Sequence, residues 1–273
     1  MSPITALQKM KRWIKIQAHQ VLPWLRGRFS YFGTTVYFPP GSWSFAMACE
    51  QGIYEWENVQ LLRMLMRPGA WMFDVGANIG LMAVPVLSGV PESRVLSFEP
   101  SPNSAAWLRK TVGGSPYGER WRLVEKAASD IIGQLEFTLS PQQASYFDGL
   151  VNTQRVEGGK RVQVATTTLD AEWRALGSPK VAVIKIDVEG WETSVLKGAG
   201  ELLRCQKPAA LLEWNAKNLE AAHVNPDSLL PLAKSIGYQV FTPQEFMPIH
   251  DEPTLKLQML RGESFLLLAR EPA

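Results

Sequence analysis

The sequence predicts an α/β fold built on a doubly wound parallel sheet. Apolar runs typical of buried strands alternate with helical patterns along most of the chain, as in a parallel sheet covered by helices on both faces. Several strands end in an acid, and ligands of such sheets bind outside the carboxyl ends of the strands. These acids are Asp74, Glu99, Asp187 and Glu213. We therefore expect one ligand site at this edge of the sheet.

Length and composition suit one sizeable domain with an extension. The chain has 273 residues, and its 46% hydrophobic content is enough for a well-buried core. We divide it into an N-terminal helical and β extension over residues 1–50 and one α/β domain over residues 51–273. The net charge of +2 argues against nucleic acid as an obligatory partner.

The cysteine and histidine usage indicates no metal or disulfide framework. Cys49 and Cys205 lie far apart and outside any C-x-x-C pattern, which favours a reducing compartment, with the cytoplasm as the default. The three histidines have no metal-ligand spacing, so we expect no zinc site. No uninterrupted apolar stretch approaches the ~18 to 20 residues of a membrane span.

The first segment has an amphipathic helical pattern, and residues 1–49 carry basic residues but no acid. The apolar positions recur at helical spacings: Leu7, Met10, Ile14, Val21 and Leu25. Such a helix would pack on the rest of the chain or on a second subunit of a homodimer. Another interpretation is peripheral contact with a membrane through residues 1–28. It is supported by Trp13, Trp24 and the excess of basic residues.

The next segments approach the site. Residues 31–38 and 42–48 are aromatic and β-branched, and we expect a pair of short strands or a strand and a lid. Residues 55–66 have the apolar spacing of a helix that ends before Pro68. Residues 51–57 would then lie near the mouth of the site.

Residues 71–80, WMFDVGANIG, predict a strand, a tight turn and the start of a helix. Gly76 and Gly80 accept φ > 0 and let a ligand approach the backbone. The spacing D-x-G-x-x-x-G differs from the dinucleotide fingerprint G-x-G-x-x-G. Asp74 would repel an anion and favours a cationic ligand such as the ammonium of S-adenosylmethionine. A plain strand-helix turn stays open, and Pro85 indicates that the helix starts late or bends.

Two further segments suggest nucleoside binding. A second strand over residues 94–98 ends in Glu99 and Pro100, where an acid can bind both ribose hydroxyls. Ribose is common to S-adenosylmethionine and nicotinamide cofactors, so Glu99 alone does not discriminate between them. A third strand over residues 121–124 leads to Ala127 and Ala128, a small-residue turn against which an adenine ring could lie.

The second half of the chain supplies an insertion and the remaining strands. Residues 135–139 and 161–166 alternate with period two, which predicts an antiparallel pair. The polar loop between them, residues 140–160, is either a substrate-facing element or a surface loop without function. Further strands are predicted at these positions: 181–187, 209–215, 238–241 and 265–269.

Three ordered motifs resemble the FkbM family of S-adenosylmethionine-dependent methyltransferases. They are residues 73–80 (FDVGANIG), 98–100 (FEP) and 184–190 (IKIDVEG), the last followed by Glu192 and LKGA at 196–199. The resemblance covers roughly residues 54–270. It implies a Rossmann-like class I methyltransferase sheet of seven strands, the last antiparallel, with a hairpin insertion after the third strand. It also implies methyl transfer to a hydroxyl of a sugar on a glycolipid, polysaccharide or secondary metabolite.

We assign the site residues by role. Cofactor binding is assigned to Asp74, Gly76, Ala77, Asn78, Gly80, Glu99, Pro100, Ala127, Ala128 and Asp187. Catalysis is assigned to Asp187 and Glu213. Asp187 would act as the base for the acceptor hydroxyl, or together with Glu213 and Asn215 as a ligand of Mg²⁺.

Structural roles for the same acids stay open. Asp187 could pair with Lys185 or cap the helix that starts near Gly190, and Glu192 could serve that helix N-terminus. At the level of function, the rivals are a nicotinamide-dependent oxidoreductase and a cofactor-binding module without catalysis. RNA methylation is weaker, because the catalytic part lacks a basic patch interleaved with aromatics.

Overall fold

The computed structural model describes residues 6–22, 27–140, 149–150 and 159–270. The helices are α1 Ala6–Val21, α2 Trp43–Gln51, α3 Trp56–Leu65, α4 Ala83–Gly89, α5 Pro102–Gly114, α6 Leu169–Ala175, α7 Glu192–Lys197, α8 Gly200–Gln206, α9 Ala216–Ala221, α10 Leu229–Ser235 and α11 Glu252–Arg261. The strands are β1 Arg28–Tyr31, β2 Thr34–Tyr37, β3 Trp71–Val75, β4 Arg94–Phe98, β5 Trp121–Val124, β6 Ala127–Ala128, β7 Gly133–Leu139, β8 Lys160–Thr167, β9 Val181–Ile186, β10 Ala209–Glu213, β11 Tyr238–Phe241, β12 Pro248–Ile249 and β13 Ser264–Ala269.

The central sheet confirms the predicted fold class. Within the described residues it has eight strands in the order β12-β11-β13-β10-β9-β3-β4-β5. The strands from β10 to β5 in this order are parallel, whereas β13 runs antiparallel to both β10 and β11. The predicted strands are all present, and the two-residue β12 adds an edge strand. The chain order reverses between β3 and β9, so the carboxyl ends of these strands form the switch point where ligands bind.

Both faces of the central strands are buried, which explains their continuous apolar runs. Every residue of β3 is buried. Met72 belongs to the apolar cluster on one face, and its neighbours Trp71 and Phe73 belong to the cluster on the other. Because side chains alternate along a strand, Asp74 faces the same side as Met72. On β9 the register places Lys185 directly beside Asp74.

The N-terminal segments pack into the first of these clusters. Phe38 stacks on Phe45 with ring centroids 3.9 Å apart, and the His19 ring of α1 lies 5.1 Å from Phe45. Phe29, Phe38 and Phe45 share the cluster with Leu62 of α3 and Leu211 of β10. The domain boundary at residue 50 stays a prediction.

The interpretation of residues 42–48 as a strand is wrong, and their alternative role as a lid stays a prediction. Residues 31–38 belong to an antiparallel hairpin of β1 and β2, and residues from Trp43 onward form α2. The Ser42 hydroxyl caps this helix by accepting the N–H of Phe45 at 3.3 Å. A serine ahead of a helical run is a start signal, and it outweighed the aromatic content.

Two other predictions are confirmed. Pro85 falls in the first turn of α4, where a missing backbone N–H costs no helix bond, so the helix does start late. The strands β7 and β8 pair antiparallel in a separate sheet ordered β6-β8-β7. Most of the loop between them, residues 141–148 and 151–158, lies outside the described residues. No helix in the described ranges has the length and apolar character to cross a bilayer.

Candidate active site

Two cavities lie at the carboxyl ends of β3, β4, β9 and β10. The central cavity measures about 210 Å³ and is lined by the glycine turn after β3, by residues 54–55 and by acids from the strand ends. The side cavity measures about 40 Å³ and lies between the ends of β3 and β4 and the separate sheet of β6, β8 and β7. Gly76, Glu99 and Asp187 line both cavities. These residues therefore mark the junction of one continuous cleft.

Most residues assigned from the sequence meet in this cleft. The central cavity is lined by Gly76, Ala77, Asn78, Glu99, Asp187 and Glu213. The side cavity is lined by Gly76, Glu99, Pro100, Ala127, Ala128 and Asp187. Asp74 and Gly80 line neither cavity. The Asp74 side chain is fully buried on one face of the sheet, and Gly80 packs against the ring of Trp121.

The glycine turn has the predicted positive φ angles, and the packing of the chain explains why its two glycines are needed. Gly76 and Gly80 have φ of 80° and 91°. A Cβ at Gly76 would lie 1.8 Å from the carbonyl oxygen of Asp187, and one at Gly80 would lie 2.8 Å from the ring of Trp121. The groups that approach these positions closely are parts of the chain itself. Internal packing therefore requires glycine at both positions. Gly76 also lines both cavities, and its contact with a ligand stays a prediction.

Glu99 is held in place at the junction of the two cavities. Its side chain is buried, and its two carboxylate oxygens accept the backbone N–H groups of Asn78 at 2.7 Å and Ser101 at 2.9 Å. The turn after β3 and the turn after β4 are thereby joined through one carboxylate. A carboxylate has about four lone-pair sites, so the two amides alone do not exhaust what a carboxylate can accept.

An ion pair between buried Lys185 and half-buried Asp187 lines the central cavity. The Lys185 ammonium is 2.8 Å from a carboxylate oxygen of Asp187. Burial lowers the pKa of Lys185, but the carboxylates of Asp187, Asp74 and Glu55 outweigh burial and raise it above its ordinary value. Lys185 therefore remains cationic, and the pairing considered from the sequence is present.

Asp74 belongs to the same charged group. It is fully buried, and neither of its oxygens accepts a hydrogen bond within the described structure. Burial raises its pKa to about 6, while the neighbouring Lys185 opposes the shift. The cation beside Asp74 in this structure is Lys185 of the adjacent strand. The carboxylate thus acts on the cleft through Lys185 rather than by lining it.

Three carboxylates converge at the ends of β9 and β10. Oxygen atoms of Asp187, Glu189 and Glu213 all lie within 4.8 Å of one another. Burial, together with the Asp187 charge, raises the pKa of Glu213 well above its ordinary value. Repulsion among the three carboxylates is reduced in two ways. Lys185 neutralises Asp187, and the raised pKa of Glu213 favours a proton on that carboxyl.

Two polar residues of the predicted group are used by the fold. The amide oxygen of Asn215 accepts the N–H groups of Lys217 at 2.9 Å and Asn218 at 3.2 Å, so it caps α9. Glu192 accepts the N–H of Gly190 at 2.9 Å, which confirms its alternative role at the helix start. Asn215 is therefore wrong as a third oxygen ligand beside Asp187 and Glu213, and Glu189 lies there instead.

Residues 51–57 are predicted to lie near the mouth of the site, and Tyr54 and Glu55 do line the central cavity. Glu55, for which the sequence predicts no role, has φ of 44° and accepts a hydrogen bond from the side-chain amide of Asn58 at 2.9 Å. Burial and the Asp187 charge raise the pKa of Glu55. Glu263, which lies just before β13, reaches the same cavity. Both look like ordinary surface acids in the sequence, and only tertiary packing brings them here.

The sheet order, with its antiparallel β13 and a glycine turn at the switch point, is that of the Rossmann-like class I methyltransferases. The sequence profile of the Methyltransferase FkbM domain matches residues 74–240. The chain belongs to this family of S-adenosylmethionine-dependent methyltransferases. Membership favours that cofactor over the nicotinamide alternative.

Similar proteins include 2-O-methyltransferase NoeI of Sinorhizobium fredii, which is 30% identical over 156 residues that cover 53% of this chain and 63% of NoeI. AMB antimetabolite synthetase AmbE of Pseudomonas aeruginosa is 26% identical over 216 residues, 67% of this chain and 10% of AmbE. The chain thus spans less than two thirds of either relative. The crystal structure of Methyltransferase FkbM from Methylobacillus flagellatus aligns with a TM-score of 0.49 and 19% identity, over 82% of this chain and 52% of that one.

Proposed function

We propose that this protein transfers the methyl group of S-adenosylmethionine to a hydroxyl oxygen of a sugar, carried by a glycolipid, a polysaccharide or a secondary metabolite. The observation that carries the proposal is the cleft at the switch point, where Glu99 and Asp187 line both cavities. The similarity to NoeI, a 2-O-methyltransferase, supports oxygen as the acceptor atom.

The charge of the central cavity fits this cofactor. Its titratable lining consists of Tyr54, Lys185 and six acids, which are Glu55, Glu99, Asp187, Glu189, Glu213 and Glu263. Such a lining attracts the sulfonium and ammonium groups of S-adenosylmethionine and repels the pyrophosphate of a nicotinamide cofactor. Glu99 would hold the ribose hydroxyls, and Ala127 and Ala128 in the side cavity would hold the adenine. When bound, the cofactor supplies an electrophilic methyl group.

Asp187 is the residue we assign to the acceptor proton. The Lys185 ammonium donates a hydrogen bond to one of the Asp187 carboxylate oxygens at 2.8 Å and fixes the position of that oxygen. The acceptor hydroxyl would donate a hydrogen bond to this carboxylate. As the new oxygen–methyl bond forms and the sulfur–methyl bond breaks, the hydroxyl proton passes to Asp187.

A divalent cation such as Mg²⁺ is the second candidate for activating the hydroxyl. Asp187, Glu189 and Glu213 offer oxygen atoms within 4.8 Å of one another, and such hard ligands suit Mg²⁺. Lys185 competes with a cation for the same Asp187 oxygen. We therefore prefer Asp187 as the base over activation by Mg²⁺. A chelator distinguishes these two hypotheses, because it should inhibit turnover only if the metal is required.

The class of reaction is tested first by binding. In parallel calorimetric titrations we expect S-adenosylhomocysteine to bind and NAD to give no heat, because the pyrophosphate would face the carboxylates of the cavity. Binding of NAD alone would overturn the proposal. Radiolabelled S-adenosylmethionine added with the protein to a cell lysate then identifies the acceptor pool. The label should enter a sugar-containing fraction and survive mild alkali, which cleaves methyl esters but not methyl ethers.

We also propose that α1 contacts the membrane surface that carries a glycolipid acceptor. Met10, Trp13 and Ile14 are 53%, 62% and 51% exposed, and Lys11 and Lys15 beside them are exposed as well. We expect the protein to sediment with anionic vesicles at low salt and to be released as salt increases. Vesicles of neutral phosphatidylcholine are the control. If the protein stays in the supernatant with both kinds of vesicle, we would assign these side chains to a contact between subunits.

A further inference from the structure

A third, much larger cavity opens beside the central one. This outer groove measures about 1240 Å³ and lies between α1, residues 50–58, the turn after β11 and the turn before β13. Glu55 and Glu263 line both the outer groove and the central cavity. The two spaces are therefore neighbours that share a wall of two carboxylates. A molecule in the groove could extend one group towards Asp187.

The groove is larger than a site for one small ring requires. Ligand pockets for drug-sized molecules typically measure about 300–1,000 Å³, so this space has room for several linked rings. Trp13 and Trp56 line it, and the first of these is 62% exposed. Four side-chain amides accompany them, from Gln51, Asn58, Gln244 and Gln258. Aromatic faces and amides together suit the apolar faces and hydroxyl groups of sugar rings.

The charge of the lining is strongly one-sided. Its acids are Glu50, Glu55, Glu57, Glu245 and Glu263. Arg261 is the one cation among the described residues that line the groove, and its guanidinium lies 3.0 Å from a Glu245 oxygen. A phosphate or carboxylate entering the groove would meet unbalanced negative charge. An amine would meet several carboxylates.

We infer that the outer groove is the acceptor site and that it takes a saccharide chain that is uncharged or carries amines, while it rejects phosphorylated and carboxylated chains. This inference rests on the proposed function and adds the charge class of its substrate. Glu55 and Glu263 line both spaces, so the groove lies next to the site of methyl transfer.

The test uses three β-1,4-linked tetrasaccharides of one length and different charge: cellotetraose, the fully deacetylated chitosan tetramer and the tetramer of cellouronic acid. Calorimetry at low salt should give tighter binding for the chitosan tetramer than for cellotetraose, and at least about fivefold weaker binding for the uronate, with the differences shrinking as salt screens the charges. Equal or tighter binding of the uronate would overturn the inference.

Two variants connect the binding to the groove. Glu57 is exposed in the first turn of α3 and lines the groove, so Glu57→Lys should weaken the chitosan tetramer and strengthen the uronate by about two- to fivefold. Glu119 is equally exposed but precedes β5 at the opposite edge of the sheet, and Glu119→Lys should change neither. Equal shifts in both variants would show long-range charge only and contradict the site.

A third variant tests the aromatic wall. Trp13→Ala should weaken cellotetraose about fivefold, because the ring offers an apolar face to an uncharged sugar. S-adenosylhomocysteine is titrated into the same samples. If it fails to bind, the proposed function fails; if it binds while no tetrasaccharide does, the inference about the groove fails alone.

Discussion

Replacing Asp187 with asparagine is expected to lower turnover at least about a hundredfold, the usual contribution of a general base, while the affinity for S-adenosylhomocysteine changes little. The amide keeps the size of the side chain but cannot take the hydroxyl proton. It also removes the charge 2.8 Å from Lys185. Single-turnover rates with a responsive acceptor, and calorimetry with S-adenosylhomocysteine, measure the two effects separately.

Glu189→Gln is the matched control for this variant. Its carboxylate belongs to the same convergent group, so a Mg²⁺ site would lose a ligand in either variant. If Asp187 acts as the base, Glu189→Gln should retain most of the turnover and a chelator should not inhibit the wild type. Loss in both variants together with inhibition by the chelator would favour the metal. Full activity of Asp187→Asn would leave Asp187 only its pairing with Lys185.

The comparison of Asp74 with Asp187 shows what a strand-end acid in the sequence can predict. Both close an apolar run, but Asp74 is the penultimate residue of β3, whereas Asp187 follows the last residue of β9. The Asp74 side chain is fully buried and lines neither cavity, whereas Asp187 lines both. An apolar run predicts that a strand exists, but not which residue ends its hydrogen bonding.

Contacts between distant segments could not be predicted for the same physical reason. Gly80 must be glycine because Trp121, from the third predicted strand, packs against it. Glu55 and Glu263 line the same cavity although more than two hundred positions of the chain separate them, and no local pattern indicates that they do. The doubly wound sheet and its antiparallel closing strand followed from alternating strands and helices and from the family resemblance, since such connections allow few topologies. The charge balance around Lys185 depends on side chains from several elements and required the structure.

Glu99→Ala is expected to weaken S-adenosylhomocysteine at least about tenfold, because charge-assisted hydrogen bonds to the ribose contribute roughly 1.5 to 3 kcal/mol. The same substitution leaves the N–H groups of Asn78 and Ser101 without their carboxylate partner. Thermal unfolding of the unliganded variant measures how much that loss disturbs the two turns. The fold should persist, because the sheet beneath the turns is buried on both faces.

A ligand lacking both ribose hydroxyls, 2′,3′-dideoxy-S-adenosylhomocysteine, separates the direct contact from this disturbance. If Glu99 binds the hydroxyls, wild-type protein should lose at least about tenfold in affinity on their removal, whereas Glu99→Ala should bind both ligands almost equally. The coupling between the protein and ligand changes is then the strength of the contact. Losses that simply multiply would mean that Glu99 acts by joining the turns after β3 and β4, and that the ribose is bound elsewhere in the cleft.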